Sequence, residues 1–153
     1  MTTTGTERTE AMEALAQSFK GAFAAVRRLR GREPQRPGEL RHAQYQVLFE
    51  LLRAGEMSSG ELATVVDVTP ASITEMLDRL ADAGLVERLR SEHDRRVVRI
   101  SLTDAGRALC EERHAQIEPL WHEQLSQYTP DELRTAAAVL DSLGELFERM
   151  CES

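Results

Sequence analysis

Three sets of residues have the types and spacing to do chemistry. In the stretch SEHDRRVVRISLT, residues 91–103, Asp94 is followed by Arg95 and Arg96. A guanidinium carries a permanent charge and five donors in a fixed fork, which suits phosphates and base edges. His114, Glu118 and His122 recur at four-residue steps, within an arc of about 80° on a helix; two imidazoles and a carboxylate are ligand types that suit zinc. Cys110 and His114 could be drawn as a thiol and a base. No third orienting group or oxyanion donor accompanies them, so an enzyme is not expected. Each set also has a plain reading: a solvated hairpin tip, a solvated helix face, and a cysteine packed as a small hydrophobe.

The elements that must hold these residues follow from hydrophobic spacing. Met12, Leu15, Ala16, Phe19, Ala22, Phe23, Val26 and Leu29 recur at three- and four-residue steps, which predicts one amphipathic helix from about Thr9 to Arg30. The loop GREPQRPG breaks it, and ELRHAQYQVLFELLRAG makes a second helix stopped by Gly55. Ser58 and Glu61 have capping-box spacing ahead of a short helix over 59–66. Thr69 and Pro70 start another over 70–83, with Ile73, Met76, Leu77 and Leu80 inward and Gly84 at its end.

The runs LVERLR and RVVRISL alternate partly and are separated by SEHD, so they predict a hairpin. Two short helices joined by a tight turn and followed at once by a two-stranded ribbon make a winged helix. Thr103 caps a long helix to about Gln127, interrupted by Pro119, and Thr129, Pro130 and Glu132 start a last one. The expected fold is therefore mostly α with a small β-hairpin wing.

Charge is unevenly spread. The net charge is -7, yet residues 85–102 carry five Arg against three acids, while residues 103–153 carry four Arg against eleven acids. A locally basic segment is thus free to meet a polyanion. No signal-peptide h-region or membrane-length apolar run is present, so a cytoplasmic protein without a membrane partner is expected, and its two cysteines, Cys110 and Cys151, are expected as thiols.

The residues GLVERLRSEHDRRVVRISLTDAG, 84–106, resemble the wing pattern of the MarR family of bacterial transcription regulators: Gly-Leu-Val, an Arg, Asp-x-Arg, then Leu-Thr-x-x-Gly. Upstream, ELATVVDVTPASITEMLDRLADAGLV is similar to the family's two DNA-binding helices. The resemblance implies a homodimer in which the first, fifth and sixth helices intertwine and hold two winged helices over successive major grooves of a pseudo-palindromic operator. It implies a ligand-responsive repressor, with recognition helix 70–83 and wing 85–102. It divides the chain into 1–38, an N-terminal dimerisation helix and loop; 39–102, the winged helix-turn-helix DNA-binding domain; and 103–153, the C-terminal dimerisation helices.

Carried onto this sequence, the resemblance places Arg96 in the minor groove with Arg95 beside it, and gives Asp94 the task of holding an arginine. At 100° per residue the outward face of helix 70–83 holds Ala71, Glu75, Asp78 and Asp82. Thr69, Ala71, Ser72, Thr74 and Glu75 are the expected groove-facing set, with Ser72, Thr74 and Glu75 as base readers and Arg79, Arg88 and Arg90 as phosphate contacts. Some relatives that sense metal draw a zinc site from the fifth helix and a histidine near the start of the second, where His42 stands. His42, His114, Glu118 and His122 are the candidate ligands here, in an alternative zinc-responsive reading; otherwise no metal or cofactor is expected. The expected effector is a small, partly apolar molecule, with Phe19, Phe23, His42 and Tyr45 as candidate lining. The acidic recognition face also leaves open a winged helix that binds protein and not DNA.

Overall fold

The computed structural model describes residues 3–152, which form six helices and a three-stranded antiparallel sheet. In chain order these are α1 (Thr3–Arg30), α2 (His42–Ala54), β1 (Glu56–Ser58), α3 (Ser59–Val65), α4 (Pro70–Asp82), β2 (Val86–Arg90), β3 (Val98–Leu102), α5 (Asp104–Leu125) and α6 (Pro130–Cys151). The expected class is the one observed: a mostly helical chain with a hairpin wing. Two compact units divide within α5, one ending at Cys110 and the other beginning at Glu111.

Each helix of the first unit is set by its ends and its buried row. Ser58 Oγ accepts from the Glu61 N–H at 3.2 Å and the Glu61 carboxylate accepts from the Ser58 N–H at 2.8 Å, the reciprocal box predicted for α3. Asp67, between α3 and α4, stands at φ 55, a left-handed conformation that a short acidic side chain tolerates. Thr69 caps α4 and Pro70 occupies its first turn. Gly84 at φ 73 ends the helix, with the Leu85 N–H bonding back to the Leu80 carbonyl at 2.9 Å.

Leu48 and Leu51 of α2, Leu62 of α3, Ile73, Leu77 and Leu80 of α4, Val86, Ile100 and Cys110 make one buried cluster. Each such aliphatic side chain contributes about 1.5–3 kcal/mol on burial. The cluster fixes the three short helices against the sheet, and therefore fixes which face of α4 is left outside.

The sheet differs from the sequence expectation in one respect. β1 adds a third strand to the hairpin, with β3 in the middle: Met57 lies opposite Ile100 and Ser58 opposite Arg99 on one side, and Arg88 opposite Ile100 on the other. α1 also begins at Thr3, earlier than Thr9. α5 continues as helix through Pro119, although the proline removes one N–H from the ladder.

Two rows of large apolar side chains remain exposed: Met12, Leu15, Phe23, Val26 and Leu29 of α1, and Leu133, Leu140, Phe147 and Met150 of α6. Among the described residues no helix is long and apolar enough to cross a membrane.

Candidate nucleic-acid interface

With Ile73, Leu77 and Leu80 buried, α4 presents Ala71, Ser72, Thr74, Glu75, Asp78, Arg79 and Asp82 to solvent. Thr69 is engaged at the helix start, accepting from the Ser72 N–H at 3.1 Å and donating its hydroxyl to Ser72 Oγ at 2.9 Å. Thr74 donates its hydroxyl to the Pro70 carbonyl at 2.9 Å. Its proton is spent on the backbone, so outward it can only accept, or contact through its methyl. Ser72 keeps its own hydroxyl proton to donate.

Two of the three acids of this face, Glu75 and Asp78, have arginine partners. Arg79 reaches Glu75 at 2.6 Å one turn back, and Arg88 of β2 reaches Asp78 at 2.5 Å. Two of its acids are thus held in ion pairs, while Asp82 is exposed with no arginine partner among the described residues. Two of the three arginines expected on phosphates already have carboxylate partners. These pairs are largely exposed, and such pairs contribute about 0–1 kcal/mol, so a phosphate can compete for either guanidinium.

The wing is the hairpin of β2 and β3. Its loop is closed by the Ser91 N–H on the Val97 carbonyl and the Val97 N–H on the Asp94 carbonyl, both at 3.0 Å. Asp94 Oδ1 accepts from the backbone N–H of Arg96 at 3.0 Å. Asp94 holds Arg96 through its peptide N–H, as Asx turns do, and so shapes the turn at the tip. Arg90, Arg95 and Arg96 are exposed, with no side-chain partner among the described residues. The wing therefore ends in guanidinium groups available to an anion.

Leu-Thr-x-x-Gly joins the wing to α5. Thr103 donates its hydroxyl to the Gly84 carbonyl at 2.6 Å and accepts from the Gly106 N–H at 3.1 Å, tying the end of α4 to the start of α5. Gly106 lies so close to β2 that a Cβ there would stand 2.0 Å from the Leu85 carbonyl oxygen.

Beside α4 a cavity of about 280 Å³ is lined by Arg30, Arg41, Ser72, Glu75 and Arg79 among others. The Arg30 guanidinium also donates to the Val66 carbonyl at the end of α3. Arg30 was not among the candidates read from sequence; it stands at the end of α1, and no local pattern predicts that α1 finishes beside α4. Of the aromatic candidates, Phe19 and Phe23 stack with centroids 6.2 Å apart and Arg27 lies 6.0 Å above the Phe23 ring. His42 and Tyr45 stand in the first turn of α2, the turn whose Arg41, Ala43 and Gln44 border the cavity.

In the second unit Glu118 lies between two imidazoles, 3.9 Å from His114 and 3.6 Å from His122. Among the described residues no three His, Cys, Asp or Glu side chains converge as a metal site requires. Cys110 is buried and Cys151 exposed.

Fold and surface together define a winged helix-turn-helix protein with a polar recognition face and a basic wing. The model of the MarR family matches residues 40–98. The multiple antibiotic resistance protein MarR of Escherichia coli (strain K12) is 36% identical over 105 residues, which cover 68% of this chain and 73% of that protein. The HTH-type transcriptional repressor MdtR of Bacillus subtilis (strain 168) is 35% identical over 106 residues, covering 69% and 68%. A crystal structure of a mutant E. coli MarR complexed with operator DNA superposes with a TM-score of 0.59 at 35% identity, covering 70% of this chain and 77% of that one. The chain belongs to the MarR family and is a MarR-type transcription regulator.

Proposed function

We propose that this protein is a homodimeric, ligand-responsive repressor that binds a pseudo-palindromic operator in the cytoplasm and acts by binding, not catalysis. Each protomer sets α4 in a major groove, with Ser72, Thr74 and Glu75 toward base edges and Thr69 and Ala71 at the entry. Arg79, Arg88 and Arg90 meet phosphates, and the wing tip carries Arg95 and Arg96 to the minor groove. The half-sites lie about one helical turn, ~34 Å, apart.

The observation that carries the reading is the wing: three exposed arginines without side-chain partners on a hairpin joined directly to a helix whose outer face is polar. Dimerisation gives the exposed apolar rows of α1 and α6 a partner surface. In domain terms, residues 1–38 and 103–153 serve the dimer and 39–102 serve DNA.

The effector is a small, partly apolar anion. The arginine-lined cavity against α4 supports this, because an anion taking Arg79 from Glu75 changes the charge pattern of the recognition face. Phe19, Phe23, His42 and Tyr45 are the aromatic residues proposed to receive the apolar part.

The test is selection of bound duplexes from a random pool, followed by affinity measurements across a salt series. The reading predicts an enriched inverted repeat whose binding falls about a thousandfold or more between ~50 and ~200 mM salt. Absence of any enriched duplex would leave the protein-binding alternative.

A further inference from the structure

The hairpin that carries Arg95 and Arg96 is tied to the helix-turn-helix through both of its strands. On β2 the tie is Arg88 to Asp78 of α4. On β3 it is Arg99, in the central strand, opposite Ser58 of β1 and Leu89 of β2. The Arg99 guanidinium lies 3.1 Å from Glu61 Oε2 and 3.5 Å from Glu56 Oε1, and it donates to the Glu56 carbonyl at 3.2 Å. Its side chain is 27% exposed, half the exposure of either carboxylate. The Glu61 oxygen that meets Arg99 is also the one that accepts from the Ser58 N–H at the start of α3. One guanidinium therefore joins the central wing strand to β1 and to the first helix of the helix-turn-helix.

Three residues toward the tip stands Arg96. The direction in which a short hairpin delivers its tip is set where its strands are anchored, and a planar guanidinium with several partners holds an angle better than a single point charge does. We infer that Arg99 is a positioning residue, which through Glu56 and Glu61 fixes the wing on α3 so that Arg96 reaches DNA at a set place relative to α4. The inference rests on the proposed reading of the wing as a DNA contact.

It makes a prediction opposite in sign to plain electrostatics. Removing two carboxylates from a surface that meets a polyanion strengthens binding if charge alone matters. If those carboxylates hold Arg99, their removal weakens specific binding. Glu56→Gln/Glu61→Gln is the variant of choice, because a glutamine at the third position of a capping box still accepts from the Ser58 N–H and α3 stays capped.

The experiment measures affinity of the full-length protein for the duplex most enriched from a random pool and for a scrambled duplex of equal length. Wild type, the double glutamine variant, Arg96→Ala and the triple combination are compared, with melting temperature followed in parallel. The double glutamine variant is expected to melt like wild type, to bind the selected duplex about fivefold more weakly with little change on the scrambled one, and to lose almost nothing further in the Arg96→Ala background, since groups that act through one another are not additive. Equal or tighter binding of the selected duplex by the double glutamine variant, or a full additional loss on top of Arg96→Ala, would overturn the positioning role while Arg96→Ala alone still weakened binding. Undiminished binding by Arg96→Ala would overturn the reading of the wing, and this inference with it.

Discussion

Glu75 and Arg79 are joined at 2.6 Å, one helical turn apart on the outward face of α4. The proposed base reader and its neighbouring phosphate contact are thus a single unit in the free protein, and a change to one alters the other. Glu75→Ala should therefore do two things. It removes a carboxylate that can accept from a cytosine amino group, changing the preferred base at one position of each half-site, and it frees Arg79 for phosphate, raising affinity for unrelated duplex. Selected-site sequences from both proteins, with affinity for a scrambled duplex, check this. Identical preferences and identical non-specific binding would show that the residue faces away from DNA.

Gly106→Ala should destabilise the protein. Alanine ordinarily gains about 1 kcal/mol over glycine inside a helix. Here the new methyl would stand 2.0 Å from the Leu85 carbonyl oxygen, which is backbone and cannot rotate aside. Overpacking costs about 1–3 kcal/mol and, at a backbone obstacle, falls at the upper end of that range, so a net loss of about 2 kcal/mol is expected. Chemical denaturation of the two proteins measures it; an unchanged or raised stability would contradict the close approach of α5 to β2.

The glutamates of two capping boxes should titrate low. Glu61 is held below the usual carboxylate range chiefly by the Ser58 backbone N–H, with Arg99 adding to it, and Glu132 chiefly by the Thr129 backbone N–H. A carboxylate with a depressed folded-state pKa adds stability that is present above its unfolded value and is lost as pH falls through the folded one. The starts of α3 and α6 should accordingly loosen only in acid, below the ordinary glutamate range. Carboxyl-carbon NMR titration reads both groups, and midpoints at or above the ordinary glutamate value would refute the capping account.

The apolar row of α6 should matter for assembly and not for the fold of a protomer. Leu140 and Met150 are exposed, 56% and 65%. Exposed sites away from special features change stability by about 0.5 kcal/mol or less. Leu140→Asp/Met150→Asp should keep the helical circular dichroism spectrum yet shift sedimentation equilibrium from dimer to monomer. A dimer as tight as wild type would place the subunit contact elsewhere.

Much of this molecule is legible in the chain because its helix ends are written in local chemistry. Ser58 with Glu61, Thr69 with Pro70, and Thr129 with Glu132 each lie within four residues of what they cap, and all three caps form. Contacts between distant residues are not written that way. β1 is three residues, too short to show alternation, and it exists because β3 has a free edge to offer it. The pairing of Asp78 with Arg88 depends on how β2 leaves Gly84, and Arg30 meets the end of α3 only once α1 has packed. Asp94 was legible as a residue that holds an arginine at the tip, but the group it takes, the Arg96 peptide N–H, depends on the geometry of the loop.

The wing carries the central claim, and Arg96→Ala tests it most directly. Arg96 is exposed, its backbone is held by Asp94, and its side chain has no partner among the described residues, so truncation removes a positive charge without disturbing the core. Affinity for the selected duplex, measured across a salt series with melting temperature as control, should fall by about 1–3 kcal/mol, with the salt slope shallower by about one unit for each phosphate that is no longer neutralised. An Arg96→Ala protein that melts like wild type and binds the same duplex as tightly with the same salt slope would contradict the account.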